Sequence, residues 1–304
     1  MSLSTAPTSP WHAHGWNNRL SWELLLRITP HLPGFAVAAL RVFFAALSLV
    51  CMPRERAAVQ RNLMHVLGLT RPAGLRSAYR TFFNYSGVMV GYTLMRDPDR
   101  TGLRERFLGV AEARAALGRQ LEGGRGVIIG TMHLGHWDMG LKMLAQGEVP
   151  VHVVMRRMEP ADVAHYAEQA RSAPGMIIHE AGSSSLLAVE LMAALRRGEI
   201  VTMQMDRAVG DHGIATPFFG AQARLPSGPV RLAMATGAPL LPVFVLQEGG
   251  RYRVMALPAL RFDAPQGGPA LAEGMRRMAA AMETVVAANP HQWFNFFDVW
   301  ERHA

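Results

Sequence analysis

Hydrophobic and polar positions divide the chain into three stretches. Residues 1–18 are rich in Ser, Thr, Pro, His and Asn, and the first 31 residues are expected to form a loose N-terminus. No basic region, compact apolar core and small-residue cleavage site follow one another there, so no secretory signal peptide is expected. Residues 32–52 read LPGFAVAALRVFFAALSLVCM, with Arg41 as the single charge. The run has about the 20 residues that cross a bilayer core. A central arginine costs at least about 2.5 kcal/mol on insertion scales, so the run either spans weakly or lies in the interface. A buried helix of a soluble core is the competing reading. Residues 54–69 then place Val59, Leu63, Val66 and Leu67 at helical spacing, and a second helix is expected over 77–95.

Beyond residue 95 the period changes. Short apolar runs at 126–130 (GVIIG), 149–155, 175–179 and 200–205 read as buried strands. Helical patterns at 138–145, 161–172 and 184–197 separate them. A helix over 227–236, strands at 239–247 and 252–257, and a closing helix over 271–288 follow. Strands alternating with helices predict an α/β fold, a mainly parallel sheet covered on both faces. The expected organisation is a loose segment 1–31, a membrane-associated helix 32–53 and one domain over 54–304.

Composition sharpens this picture. The 304 residues are 50% hydrophobic and 18% charged, with mean hydropathy +0.09. Ordinary globular chains carry about 25% charged residues, so a disordered reading is excluded. Net charge is +8, and all but one of the 31 basic residues are arginine, the exception being Lys142. An oily, basic chain suits a membrane surface, which offers anions beside apolar matter. Arg54, Arg56 and Arg61, just after the apolar run, point to the cytoplasmic face. Nucleic acid is not expected, because no nucleic-acid motif accompanies the charge. Cys51 is the single cysteine, which excludes an internal disulfide.

The stretch 126–140, GVIIGTMHLGHWDMG, ends a strand, turns and starts a helix. Ligands of α/β sheets bind at such places. His133 and Asp138 lie in the turn and the first helical residues. At this spacing the carboxylate is able to fix one imidazole nitrogen and leave the other basic. Such a pair would deprotonate a hydroxyl brought by the substrate. A metal site using His133, His136 and Asp138 is a second reading, although the His-x-His-x-Asp-His spacing of metallo-hydrolases is broken twice. Structural histidines are a third. An α/β-hydrolase is a fourth, but the elbow it needs is absent around 182–185.

Residues 202–244 read TMQMDRAVGDHGIATPFFGAQARLPSGPVRLAMATGAPLLPVF. With His133-x4-Asp138 and Arg61-Asn62-Leu63, this ordered set resembles the bacterial lauroyl/myristoyl acyltransferases of lipid A biosynthesis. These are related to the glycerolipid (lysophospholipid) acyltransferases that share the His-x4-Asp/Glu motif. The likeness runs from about residue 54 to the C-terminus. It implies the fold of those enzymes, a glycerolipid acyltransferase-like sheet flanked by helices, with a membrane-associated N-terminal helix. The tail NPHQWFNFFDVW departs from the lipid A enzymes and is similar to a branch that accompanies aryl-polyene and related lipid clusters. That departure leaves the acceptor open.

The resemblance implies O-acyl transfer from an acyl carrier protein or acyl-CoA to a hydroxyl of a lipid, at the cytoplasmic face of the inner membrane. No further cofactor and no metal are implied. His133 would be the general base, oriented by Asp138. Arg156 matches a strand-end arginine of the family and Arg171 a second one, suited to clamping phosphate. Asp206 and Arg207 end the fourth strand on the same sheet edge as His133. Phe219 and Gly220 are candidates for the acyl-pocket wall, and Gly228 opens a helix whose N–H groups suit an anion or oxyanion. Arginines on a solvated surface, an Asp206–Arg207 structural pair and a Phe-Phe core contact are the competing readings. A metal-dependent hydrolase and a non-catalytic lipid-binding protein are the alternatives to the enzyme as a whole.

Overall fold

The computed structural model describes residues 18–156, 161–182, 186–208, 213–262 and 268–300. A seven-stranded sheet of order β1-β9-β8-β2-β5-β3-β4 forms its centre. The strands are β1 (Phe107–Leu108), β2 (Val127–Thr131), β3 (Val151–Met155), β4 (Met176–Glu180), β5 (Ile200–Gln204), β8 (Leu240–Glu248) and β9 (Arg251–Ala256). All pairings are parallel except β8 with β9. A separate hairpin, β6 (Gly213–Phe218) and β7 (Ala221–Pro226), stands outside this sheet. The expected mainly parallel α/β sheet is therefore present; the hairpin, β1 and the helix α5 (Val110–Leu121) had no clear periodic signal.

β2 lies in the middle because it can be buried on both faces. All five of its residues are buried, and each aliphatic side chain so removed from water stabilises the fold by about 1.5–3 kcal/mol. On one face pack α8 (Leu187–Arg196), α9 (Gly228–Thr236) and α10 (Gly268–Ala288), through Leu191, Leu195, Val230, Met278 and Met282. On the other pack α4 (Arg71–Met95), α6 (Trp137–Leu144) and α7 (Ala161–Arg171), through Tyr92, Met95, Met139 and Ala167. The expected burial fails at β4. As an edge strand it pairs only with β3, and Ile177 and Ile178 are 44% and 45% exposed. The start of the helix expected from residue 184 falls at 183–185, outside the described residues.

Two findings alter the N-terminal picture. Within the expected loose segment, residues 19–28 form α1 (Arg19–Ile28), capped by Asn18, whose Oδ1 accepts the Ser21 N–H at 2.9 Å. Trp22 and Leu26 of α1 are buried. The apolar run forms α2 (Gly34–Cys51), long and apolar enough to cross a membrane, yet only 6% of that stretch is buried. Its charge faces inward. Arg41 donates to Ser86 Oγ and the Phe83 carbonyl of α4, each at 3.3 Å, and its guanidinium sits 4.3 Å from the Phe83 ring centre. Phe35, Phe43 and Val50 point outward, 79%, 58% and 73% exposed. α3 (Pro53–Leu67) follows and ends at Gly68 in the left-handed conformation.

Candidate active site

β2 and β5 run side by side in parallel register, Thr131 opposite Gln204, so the segments that leave them emerge together. His133 follows β2 and Asp206 follows β5. The turn between β2 and α6 is fixed by backbone bonds on both sides. The His136 N–H donates to Val245 of β8 at 2.7 Å, and the Gly135 N–H to Gln292 at 2.9 Å. Gly135 has φ of 62°, and a Cβ there would stand 1.9 Å from the Val245 oxygen, so only glycine fits.

This geometry gives His133 a different partner from the expected one. His133 Nδ1 lies 3.0 Å from Asp206 Oδ1, and the His133 N–H points at both Asp206 oxygens at 3.2 Å. Asp138, expected to orient His133, starts α6 facing away. It accepts a short hydrogen bond from the Tyr92 hydroxyl of α4, and its Oδ1 is 3.8 Å from the Arg171 guanidinium. At the first turn of α6 the carboxylate turns toward α4 and α7, not back toward the strand that carries His133.

Electrostatics suit a neutral imidazole. Burial pushes the His133 pKa below its ordinary value and Arg207 adds to this, while Asp206 and Asp138 oppose it. A Nδ1 facing a carboxylate carries the proton, which leaves the Nε2 lone pair as the basic position. The side chain is 12% exposed, enough for one edge to be reached, whereas Asp206 is closed off. Burial disfavours the Asp206 carboxylate, but His133 and Arg207 outweigh this and hold its pKa below the ordinary value.

The remaining expected residues divide. Arg207 belongs to the site: it donates to Asn295 Oδ1 at 2.7 Å and to the Phe294 carbonyl, and burial lowers its pKa to about 10. Arg171, expected as a phosphate clamp, is buried and donates to Met155 Sδ at 3.0 Å beside Asp138. Arg156 is exposed at the end of β3. Phe219 and Gly220 form the tip of the β6–β7 hairpin, with φ of 50° and 77°. Glu283 accepts the Phe219 N–H, and His65 Nε2 meets the Phe219 carbonyl at 2.9 Å. Their contacts hold the hairpin. Gly228 begins α9 against the Met203 methyl, where a Cβ would stand at 3.0 Å. None of these hydrogen bonds links Gly228 or Phe219 to His133.

His136 is fully buried and packs on Gly91, between the rings of Tyr92 and Tyr252. It does not converge with His133 and Asp138 as a metal trio. Among the described residues no group of three or more His, Cys, Asp or Glu side chains is arranged to hold a metal ion. His212 lies outside the described residues. Tyr92, which holds Asp138, carries no signal of this role in the sequence. In the tail, Trp293, Phe294 and Phe296 are buried, and Trp293 and Asn295 reach Asp206.

Residues 21–302 match the profile of a family described as bacterial lipid A biosynthesis acyltransferase, and the chain belongs to that family. It is similar to the phosphatidylinositol mannoside acyltransferase of Mycobacterium tuberculosis, 28% identical over 181 residues, which are 59% of this chain and 56% of the relative. The protein of the same name from Mycolicibacterium smegmatis is 28% identical over 182 residues, 59% of this chain and 58% of that relative. The match thus spans little more than half the length of these relatives.

Proposed function

We propose that the protein is a membrane-associated O-acyltransferase. It moves a fatty acyl chain from a thioester, on acyl carrier protein or coenzyme A, to a hydroxyl of a lipid. One observation carries the reading: His133 Nδ1 stands 3.0 Å from a buried carboxylate, with the ring partly open. The acceptor hydroxyl gives its proton to His133 Nε2 as its oxygen attacks the thioester carbonyl. Asp206 stabilises the imidazolium that forms. The tetrahedral intermediate collapses, the carbon–sulfur bond breaks, and the imidazolium returns the proton to the leaving thiolate. An ester and a free thiol result, with His133 neutral again. Family membership and the acyltransferase name of the relatives support this chemistry, and their name, which specifies a phosphatidylinositol mannoside, supports a lipid as acceptor.

Membrane attachment belongs to the same proposal. The outward face of α2, with Phe35, Phe43 and Val50, rests in the lipid interface on the cytoplasmic side of the inner membrane. Arg41 supports an in-plane helix rather than a span, because the middle of α2 is tied to α4, and α4 packs on the body of the domain. The deciding experiment is His133→Ala, assayed for transfer from palmitoyl-CoA and from palmitoyl-acyl carrier protein to a lipid extract. Turnover should vanish while the far-ultraviolet circular dichroism and vesicle binding stay as in the wild type. Full activity in that variant would reject the proposal.

A further inference from the structure

The carboxylate that faces His133 is held from a distant part of the chain. Asp206 is 2% exposed, and its Oδ2 accepts the indole N–H of Trp293 at 3.2 Å and the side-chain N–H of Asn295 at 3.3 Å. Asn295 turns its other end to Arg207, accepting the Nε–H at 2.7 Å, so one amide bridges the two charged neighbours. The backbone between them is tied to the base as well, since the Phe294 N–H donates to the His133 carbonyl at 2.7 Å.

The tail is not free to drift. Asn62 of α3 donates to the Asn295 and Phe297 carbonyls at 3.1 and 2.8 Å and accepts the Val299 N–H at 3.1 Å. Arg61 pairs with Asp298 at 2.6 Å. A second tail indole shows what packing alone would produce. Trp300 sends its N–H to the Phe218 carbonyl at 3.2 Å, a backbone group of the hairpin strand β6. Trp293 instead spends its only side-chain donor on the buried carboxylate.

Resting on the reading of His133 as the base, we propose that Trp293 and Asn295 are positioning residues, which fix the Asp206 carboxylate and thereby set both the orientation and the basicity of His133. A carboxylate has about four lone-pair positions, and in a buried site an unoccupied one lets the group turn. The His133 N–H is shared between both oxygens, and two neutral side-chain donors on Oδ2 leave the imidazole as the only side-chain partner of Oδ1 among these bonds and pin its direction. They also disperse the negative charge, so Asp206 stabilises an imidazolium less than a bare carboxylate would, and His133 stays neutral and ready to accept a proton. The other charged or titratable groups bearing on His133 are Arg207 beside Asp206, Asp138 on α6 and, through Arg207, Tyr85 of α4.

The test removes one donor at a time, with Trp293→Phe keeping the ring and Asn295→Leu keeping the approximate bulk. His133 titration is read by nuclear magnetic resonance of the histidine-labelled full-length protein, the signal being assigned by its loss in His133→Ala. The expected result is an upward shift of about half a pH unit in each variant, the size of one modest hydrogen bond. Transfer from palmitoyl-CoA to lipid should lose about tenfold to a hundredfold in kcat with little change in KM. The acid limb of the activity profile should move upward with the titration. An unmoved titration and acid limb in both variants would overturn the inference. So would outright loss of the fold in both, since the two side chains would then serve core stability alone. Failure of the base reading shows up differently, as undiminished turnover in His133→Ala.

Discussion

His133 Nδ1 stands 3.0 Å from Asp206 Oδ1, while Asp138, five positions along the chain, bonds to Tyr92 and faces Arg171. The two carboxylates that share one neighbourhood therefore have separate tasks. In the proposed mechanism Asp206 is the partner that fixes the tautomer of His133, while Asp138 ties α6 to α4 and α7. Asp206→Asn should lower kcat by about 10²- to 10⁴-fold, the range of general-base contributions, with circular dichroism unchanged. Asp138→Asn should act mainly through stability, because the buried Arg171 loses its carboxylate. Breaking such a pair costs about 3–5 kcal/mol, read as a lower urea midpoint. An Asp206→Asn variant as active as the wild type would reject this division.

As the proposed base, His133 must be neutral to work. Burial first, then Arg207, hold the His133 pKa below its ordinary value of 6.5. Activity therefore falls only as the pH drops below the range in which an ordinary histidine titrates. A profile of kcat/KM against pH reports this pKa for the free enzyme. An acid limb centred above 6.5 would contradict the burial of the ring.

Much of this was legible from periodicity. The strand β2, the helix α6 and the position of His133 at a strand end follow from apolar runs and a polar turn. The partner of His133 did not, because sequence spacing measures distance along one chain segment. Asp206 comes 73 residues later and meets His133 only because β5 pairs with β2. Arg171 illustrates the same limit: an arginine on a surface helix and one sealed against Asp138 carry identical local patterns. The single lysine is a third case. Lys142 is buried, and its Nζ donates to the Met95 and Ala170 carbonyls at 2.6 and 2.7 Å, near the C-terminal ends of α4 and α7. A cation there satisfies orphan carbonyls and complements both helix dipoles, which only the packing reveals.

His136 makes stability depend on pH. Neither ring nitrogen has a hydrogen bond of good geometry, and burial lowers its pKa to about 4 from 6.5. The unfolded chain takes up the proton near 6.5 and the folded chain only near 4. Stability from this group is thus complete above pH 6.5 and is lost as the pH falls toward 4. The loss amounts to about 3 kcal/mol. Urea unfolding at pH 7 and pH 4.5 should show a smaller difference in His136→Leu than in the wild type. Equal differences would assign the acid sensitivity to other groups.

The orientation of α2 has consequences at both of its ends. An in-plane helix keeps them on one side of the bilayer, whereas a span separates them. Cys51, the single cysteine, is exposed at the C-terminal end of α2 and serves as a native probe. A membrane-impermeant maleimide should label it from the cytoplasmic side only. Phe35→Cys in a Cys51→Ser background should be labelled from that same side. Labelling of the two positions from opposite sides would establish a span. The face proposed to enter the lipid is apolar, and burying one phenylalanine contributes about 1.5–3 kcal/mol. Phe43→Glu should then weaken binding to vesicles of phosphatidylglycerol and phosphatidylethanolamine by at least about tenfold, with the fold intact because the side chain is 58% exposed.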